Sequence, residues 1–368
     1  MRAGISNKGE KMKNGKKYIA LVSALVLTFS LAANVQAKAA DPVVKIMVGG
    51  LNKQIYLPFK LAENLGMYKK YGVTVELSDE PSGVSAEVAM LAGQVDLVGG
   101  FFDHNIDLQV KGKATQSVIQ LLKAPGEVEL CRTDLKDTIK SPADWKSGIN
   151  VGVTGLGSST NFLTKALAKH AGVDLTQVHS IVVGAGATFI AAMKNKTIDC
   201  GMTTEPTISA VLGQGLGYVL VDMRYGDLTK AALGGVYVST CVYGRADWIS
   251  ANPDSVQRVV NAFYDTLQWI HTHTPLQVAK ALPADYYAGV GLDAYVKALT
   301  DEYSMYNING RMINGAPNTI LKVLTIGNGY TPAQVAAVNL NITYTNTYAA
   351  VASRQVAAMN LALRRKTK

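Results

Sequence analysis

The chain has 368 residues, 17% of them charged, a formal net charge of +9 and three cysteines. This length is enough for two domains. Three cysteines allow at most one disulfide, and the absence of a C-x-x-C pair argues against a zinc or redox site. The positive charge does not mark a nucleic-acid partner. Residues 1–39 carry seven basic residues against Glu10, which leaves +3, and the tail Arg364, Arg365, Lys366 and Lys368 outweighs that remainder, so that residues 40–360 sum to −1.

The chain opens with Lys8, Lys11, Lys13, Lys16 and Lys17, then an apolar run over residues 18–33, then small-residue patterns ending at Ala37 and Ala39. This layout predicts a secretory signal cleaved near Ala37 or Ala39. The sixteen residues of the run fall short of the roughly 20 that a spanning helix needs. Met12 is a second possible start. No Cys lies near the cleavage site to take a lipid, so the mature chain is expected to be soluble.

Beyond the signal the pattern alternates between strand and helix. Strands are predicted at 43–48, 73–77, 95–98 and 116–122, with helices at 55–70, 82–91 and 103–111 between them. The alternation restarts with strands at 149–153, 180–183, 198–202 and 218–221 and helices at 158–171, 187–193 and 205–212. A strand at 236–243 precedes a mostly helical remainder. This is the pattern of α/β parallel sheets. Two segments repeat each other: Gly83, Ala89, Met90 and Asp96 recur at the same offsets as Gly186, Ala192, Met193 and Asp199. This suggests two lobes of similar design, with Asp96 and Asp199 as turn-formers.

In open α/β sheets ligands bind beyond the carboxyl ends of strands. The loops there are rich in Gly, Ser and Thr at helix starts, where free N–H groups and the helix dipole favour an anion. The run Gly157-Ser158-Ser159-Thr160 has more hydroxyls than one cap needs. Gly155-Leu156-Gly157 lacks the third glycine of a dinucleotide fingerprint. No nucleophile elbow surrounds Ser158 or Ser159, and His271 and His273 lack the spacing of a helical metal pair. No catalytic, cofactor or metal site is expected. Phe101 and Phe102 cannot both face a cleft on extended backbone.

Gly66-Met67-Tyr68-Lys69-Lys70-Tyr71-Gly72-Val73, Leu91-Ala92-Gly93-Gln94-Val95-Asp96, Phe102-Asp103-His104, the 155–160 loop, Glu205-Pro206 and Ile342-Thr343-Tyr344-Thr345-Asn346 follow in an order that resembles the periplasmic binding proteins for nitrate, taurine and aliphatic sulfonates. These share a fold with thiamine-pyrimidine synthases. The resemblance implies a type II periplasmic-binding-protein fold. Lobe one would be 40–138 plus 237–368 and lobe two 139–236, with Glu127–Arg132 and Val236–Tyr243 among the linking strands. It implies a monomeric, non-catalytic protein that holds a small anion in the cleft and docks on an ABC permease with its ATPase. Contacts carried over are Gln54, Ser82, Gly83, Phe102, His104, Ser158, Ser159, Thr160, Ala187, Thr188 and Glu205. Glu205 would hold the amine of a zwitterion such as taurine or be tied to a neighbouring amide. An aromatic carboxylate, a thiamine pyrimidine precursor, or an enzyme on the same fold are the alternatives. Whether Cys131 pairs with Cys241 is open.

Overall fold

The computed structural model describes residues 40–146 and 148–366; the expected signal lies outside them. Two five-stranded sheets form the frame. β1 (Val43–Val48), β2 (Thr74–Asp79), β3 (Leu97–Phe101) and β4 (Thr115–Gln120) build the first with β10 (Thr240–Arg245), in the order β2-β1-β3-β10-β4. β5 (Glu127–Arg132), β6 (Ile149–Val153), β7 (Val178–Val182), β8 (Cys200–Thr204) and β9 (Gly217–Asp222) build the second, in the order β7-β6-β8-β5-β9. The two orders are the same pattern, a parallel triplet at one edge, then one strand that arrives from the other half of the chain, then a fifth strand at the far edge.

That arrival corrects two expectations. The sheets are mixed, because β10 runs antiparallel to β3 and β4 and β5 antiparallel to β8 and β9. Glu127–Arg132 lies wholly in the second sheet, so the chain passes between sheets at 121–126 rather than near 138 and returns through 223–239. The sequence repeat is structural. Asp96 Oδ2 accepts the Lys45 N–H at 2.8 Å and Asp199 Oδ2 accepts the Asn150 N–H at 2.9 Å. Each carboxylate pins the start of the middle strand of its parallel triplet, β1 or β6, from the turn before the next parallel strand.

The helices relevant to the site are α1 (Leu57–Asn64), α2 (Gly83–Leu91), α3 (Asp103–Val110), α4 (Ser159–His170), α5 (Ala187–Lys194), α6 (Pro253–Thr272) and α7 (Ala316–Asn328). The single helix expected over 55–70 breaks at Gly66, whose φ of +67° suits glycine and ends the run. Gly99 and Gly100, expected in a loop, continue β3 and pair with β10, and a Cβ on Gly99 would fall 2.4 Å from the Phe59 ring that packs there. One apolar core lies under α1, β1 and α6. A second runs between the halves, joining Met90, Phe102 and Ile106 to Phe162, Leu163 and Leu167 and to Ile320 and Leu324 of α7. Gly327 lets α7 approach α4 closely: a Cβ there would sit 3.0 Å from the Phe162 carbonyl. Cys131 and Cys200 face each other in register on β5 and β8 and form the disulfide, while Cys241 is free and buried.

Candidate functional site

The carboxyl ends of β1, β2, β3, β6 and β8 converge on one chamber. Its wall is made of Gly49, Lys53, Ile55, Tyr56, Gly83, Phe101, Glu127, Thr154, Ser158, Ser159, Thr160 and Thr204, around a cavity of about 20 Å³. A water needs about 10–15 Å³, so the walls must part for anything larger. Lys53 also borders an outer cavity of about 170 Å³ whose lining includes Asn52, Pro81, Gly184, Thr188 and Thr207.

Two helices point their starts at the chamber. Ser158 stands at the N-cap of α4 in extended backbone but its side chain makes no cap, leaving the first-turn N–H groups unspent. The hydroxyls are turned inward: Thr154, Ser158 and Thr160 bond one another at 2.7–3.0 Å, and Ser158 Oγ donates to the Gly155 carbonyl. The run of hydroxyls thus shapes the loop and leaves the first-turn main-chain N–H groups without side-chain partners. Opposite, Ser82 caps α2 by accepting from Ser85 N, which leaves the Gly83 N–H at the chamber. The loops touch so closely that a Cβ on Gly49 would meet Gly83 N at 2.7 Å, and one on Gly155 would meet Ser82 Oγ at 3.0 Å.

The ionisable groups are buried. Lys53 Nζ donates to the carbonyls of Gly49 at 2.6 Å and Pro81 at 3.2 Å. Burial pulls its ammonium down to about 8, against Glu127 and Asp79. Asp103 accepts from Ser159 Oγ and from the Tyr237 hydroxyl, joining the two halves, and burial raises its carboxyl despite the nearby His104 and both bonds. His104 lies behind Gly83, its Nδ1 2.7 Å from Glu87 Oε2. Burial opposes its charge, but Glu87 outweighs this and holds the imidazole up at about 9. Glu127 and Thr204 each bury an oxygen, Oε2 and Oγ1, that has no hydrogen-bond partner.

Of the residues expected at the site, Gly83, Ser158, Ser159 and Thr160 line the chamber, and Ser82 abuts it through Gly155. Thr188 borders the outer cavity, and Ala187 starts the same helix. Gln54 turns its amide to the Tyr295 carbonyl, while its N–H reaches the Glu205 carbonyl at 3.0 Å. Phe102 packs in the core against Tyr344, and Phe101, the last residue of β3, takes the wall instead. Glu205 is tied to the Ser209 N–H at 3.0 Å and lies 3.6 Å from Arg224, outside the chamber lining. Lys53, Thr154 and Thr204, at strand ends or in the loops after them, and Glu127 on β5 line the chamber without being among the expected contacts. Glu127 and Thr204 sit opposite each other on β5 and β8, and a pairing between strands so distant in sequence leaves no local signal. Among the described residues no three His, Cys, Asp or Glu side chains come together as a cation site.

A sequence model described as NMT1/THI5 like matches residues 54–275, more than half of the chain. The chain belongs to the NMT1/THI5-like family. A protein of Bordetella bronchiseptica RB50 of known structure is 30% identical, with a TM-score of 0.80 over 85% of this chain and 97% of its own. The periplasmic aliphatic sulphonate binding protein SsuA of Escherichia coli superposes with a TM-score of 0.61 at 19% identity, covering 83% of this chain and 99% of that one. The nitrate/nitrite binding protein NrtA of Nostoc sp. strain PCC 7120 is 24% identical over 258 residues, which are 65% of this chain and only 57% of that protein. The fold of this family member is that of the periplasmic binding proteins.

Proposed function

We propose that this protein is a solute-binding protein that captures a small oxyanion in the chamber between its two sheet halves and hands it to a membrane permease of an ABC importer. The observation that carries the oxyanion reading is the convergence of the uncapped start of α4, the Gly83 N–H that the Ser82 cap leaves free on α2, and the Lys53 ammonium on one buried chamber. Aligned N–H groups and a helix dipole favour an anion without many cationic side chains. Nitrate, sulfonate and carboxylate head groups share this chemistry. The charged leader predicted over the first 39 residues supports export of the mature protein to a periplasm, where a binder would meet its permease.

The two halves act as lobes. Contacts across the chamber, Gln54 N–H to the Glu205 carbonyl and Ser159 to Asp103, hold the mouth shut. Residues 121–126 and 223–239 are the segments that would flex as it opens. A thermal-shift and calorimetric screen of nitrate, alkanesulfonates, taurine and aromatic acids tests the reading. A tight ligand raises the melting temperature by mass action. Failure of every oxyanion to bind, or turnover of one that does, would reject it.

A further inference from the structure

The polar groups around the chamber are nearly all donors: the Gly83 N–H of α2, the first-turn N–H groups of α4 and the Lys53 ammonium, which spends two of its three hydrogens on the Gly49 and Pro81 carbonyls, with the Thr204 hydroxyl free to donate. Glu127 is the exception. Its carboxyl lines the same chamber at 2% exposure, and Oε2 has no partner. Among the described residues no cation stands within ion-pair distance of it, since Lys53 is directed at the Gly49 and Pro81 carbonyls. A buried carboxylate without a counter-ion or a donor costs several kcal/mol or more and takes up a proton instead. A carboxylate would also repel the anion that every neighbouring group is arranged to attract. A neutral carboxyl carries one O–H donor and completes the set.

We propose that Glu127 serves as a neutral acid in the chamber and donates its proton as a hydrogen bond to the bound oxyanion, so that anion capture is coupled to protonation of this side chain. The proposal rests on the oxyanion reading above and deepens it. The groups around Glu127 agree. Asp103 faces it from the start of α3 and Glu129 from its own strand, against Lys53, the one cation among the described residues that bears on it. The Tyr56 and Tyr237 hydroxyls are near, Thr204 stands opposite on β8, and on β9 Asp222 is already paired with Arg224. Burial raises the Glu127 carboxyl well above the usual range, Asp103 and Glu129 add to this, and Lys53 opposes it.

The complex holds the protonated form. Affinity is therefore full below the Glu127 pKa of the empty chamber and falls as pH rises through it, by up to about tenfold per pH unit. Loss of the Lys53 proton brings a second fall above about 8. The test is calorimetric titration of the mature chain with nitrate and with methanesulfonate between about pH 5 and about pH 9, for wild type, E127Q and E127A. E127Q, whose amide still donates, is expected to bind several-fold more weakly and to keep only the alkaline fall. E127A should bind about 100-fold more weakly, the scale of one lost donor to a buried anion. A wild-type pH profile that matches that of E127Q across the whole range, with no fall beyond the one E127Q keeps, overturns the proposal. So does taurine binding more tightly than methanesulfonate to wild type with that preference lost in E127Q, which would make Glu127 a carboxylate holding an ammonium. If wild type binds neither anion at any pH, the oxyanion reading falls and the Glu127 role with it, whereas binding with the wrong pH profile removes the Glu127 role alone.

Discussion

Ser159 Oγ donates to Asp103 Oδ1 at 2.9 Å, so the first residue of a helix on the second sheet is fastened to the first residue of a helix on the first sheet. The same Asp103 accepts the Tyr237 hydroxyl at 2.6 Å. A single buried carboxyl thus holds together the two halves and the returning segment beside the chamber.

This bond separates folding from binding. Ser159→Ala removes a donor from buried Asp103 and should lower stability by about 1–3 kcal/mol, read from denaturant midpoints. Its backbone N–H survives. Ser159→Pro also removes that N–H, at the helical position where proline is best tolerated, and Ser158 before it is already extended. Anion affinity in Ser159→Pro should fall about tenfold or more below that of Ser159→Ala, the range for one charge-assisted bond. Equal affinities would remove the α4 N–H groups from the site.

Buried Lys53 and Glu129 predict a stability profile with two limbs. The Glu129 carboxyl is raised by burial to about 8, against its bond from Thr164. Its folded form binds the proton more tightly than the unfolded chain, so stability present near pH 4.5 is lost as pH rises toward about 8. Lys53 is lowered from 10.5 to about 8, the unfolded chain binds the proton more tightly, and stability recovers between these values. Glu129→Gln should flatten the first limb and Lys53→Met the second in chemical denaturation across pH. A profile unaffected by either substitution would contradict these assignments.

Gly49 tests how closely the loops must meet. Alanine there would place its Cβ 2.7 Å from Gly83 N and 2.8 Å from Gly83 Cα, both backbone atoms that cannot swing aside. Gly49→Ala should cost about 1–3 kcal/mol of stability and displace the α2 N-terminus, weakening anion binding. Wild-type affinity in a stable Gly49→Ala variant would mean that the α2 start does not contribute.

The disulfide between Cys131 and Cys200 closes a sequence separation of 69 residues in the second sheet. Constraint of the unfolded chain predicts a gain of about 2–4 kcal/mol. A reductant should lower the melting temperature of wild type and leave Cys131→Ser with Cys200→Ser unchanged. Buried Cys241 should remain unreactive until unfolding. Rapid labelling of Cys241 in the folded protein would count against its burial.

Closure can be followed directly. With a cavity of about 20 Å³, the described conformation has room for little more than a water. Small-angle scattering should give a larger radius of gyration without ligand than with a tight oxyanion. Identical profiles would argue that the halves do not hinge.

By itself the sequence determined the strand and helix alternation, the two-part repeat through Asp96 and Asp199, and the glycine- and hydroxyl-rich loops at strand ends, because these depend on neighbours within a few residues. It also marked Gly83, Ser158, Ser159 and Thr160, which line the chamber because they stand where helices start. Tertiary structure alone decided which strands run antiparallel, that Cys131 meets Cys200, that Phe101 rather than Phe102 faces the chamber, and that Glu205 is tied off by Ser209 and Arg224. It also brought Lys53 and Glu127 to one wall, although 73 positions separate them in the chain. Their charges have meaning only once burial removes water and fixes which atoms remain to answer them, and no local pattern encodes that distance.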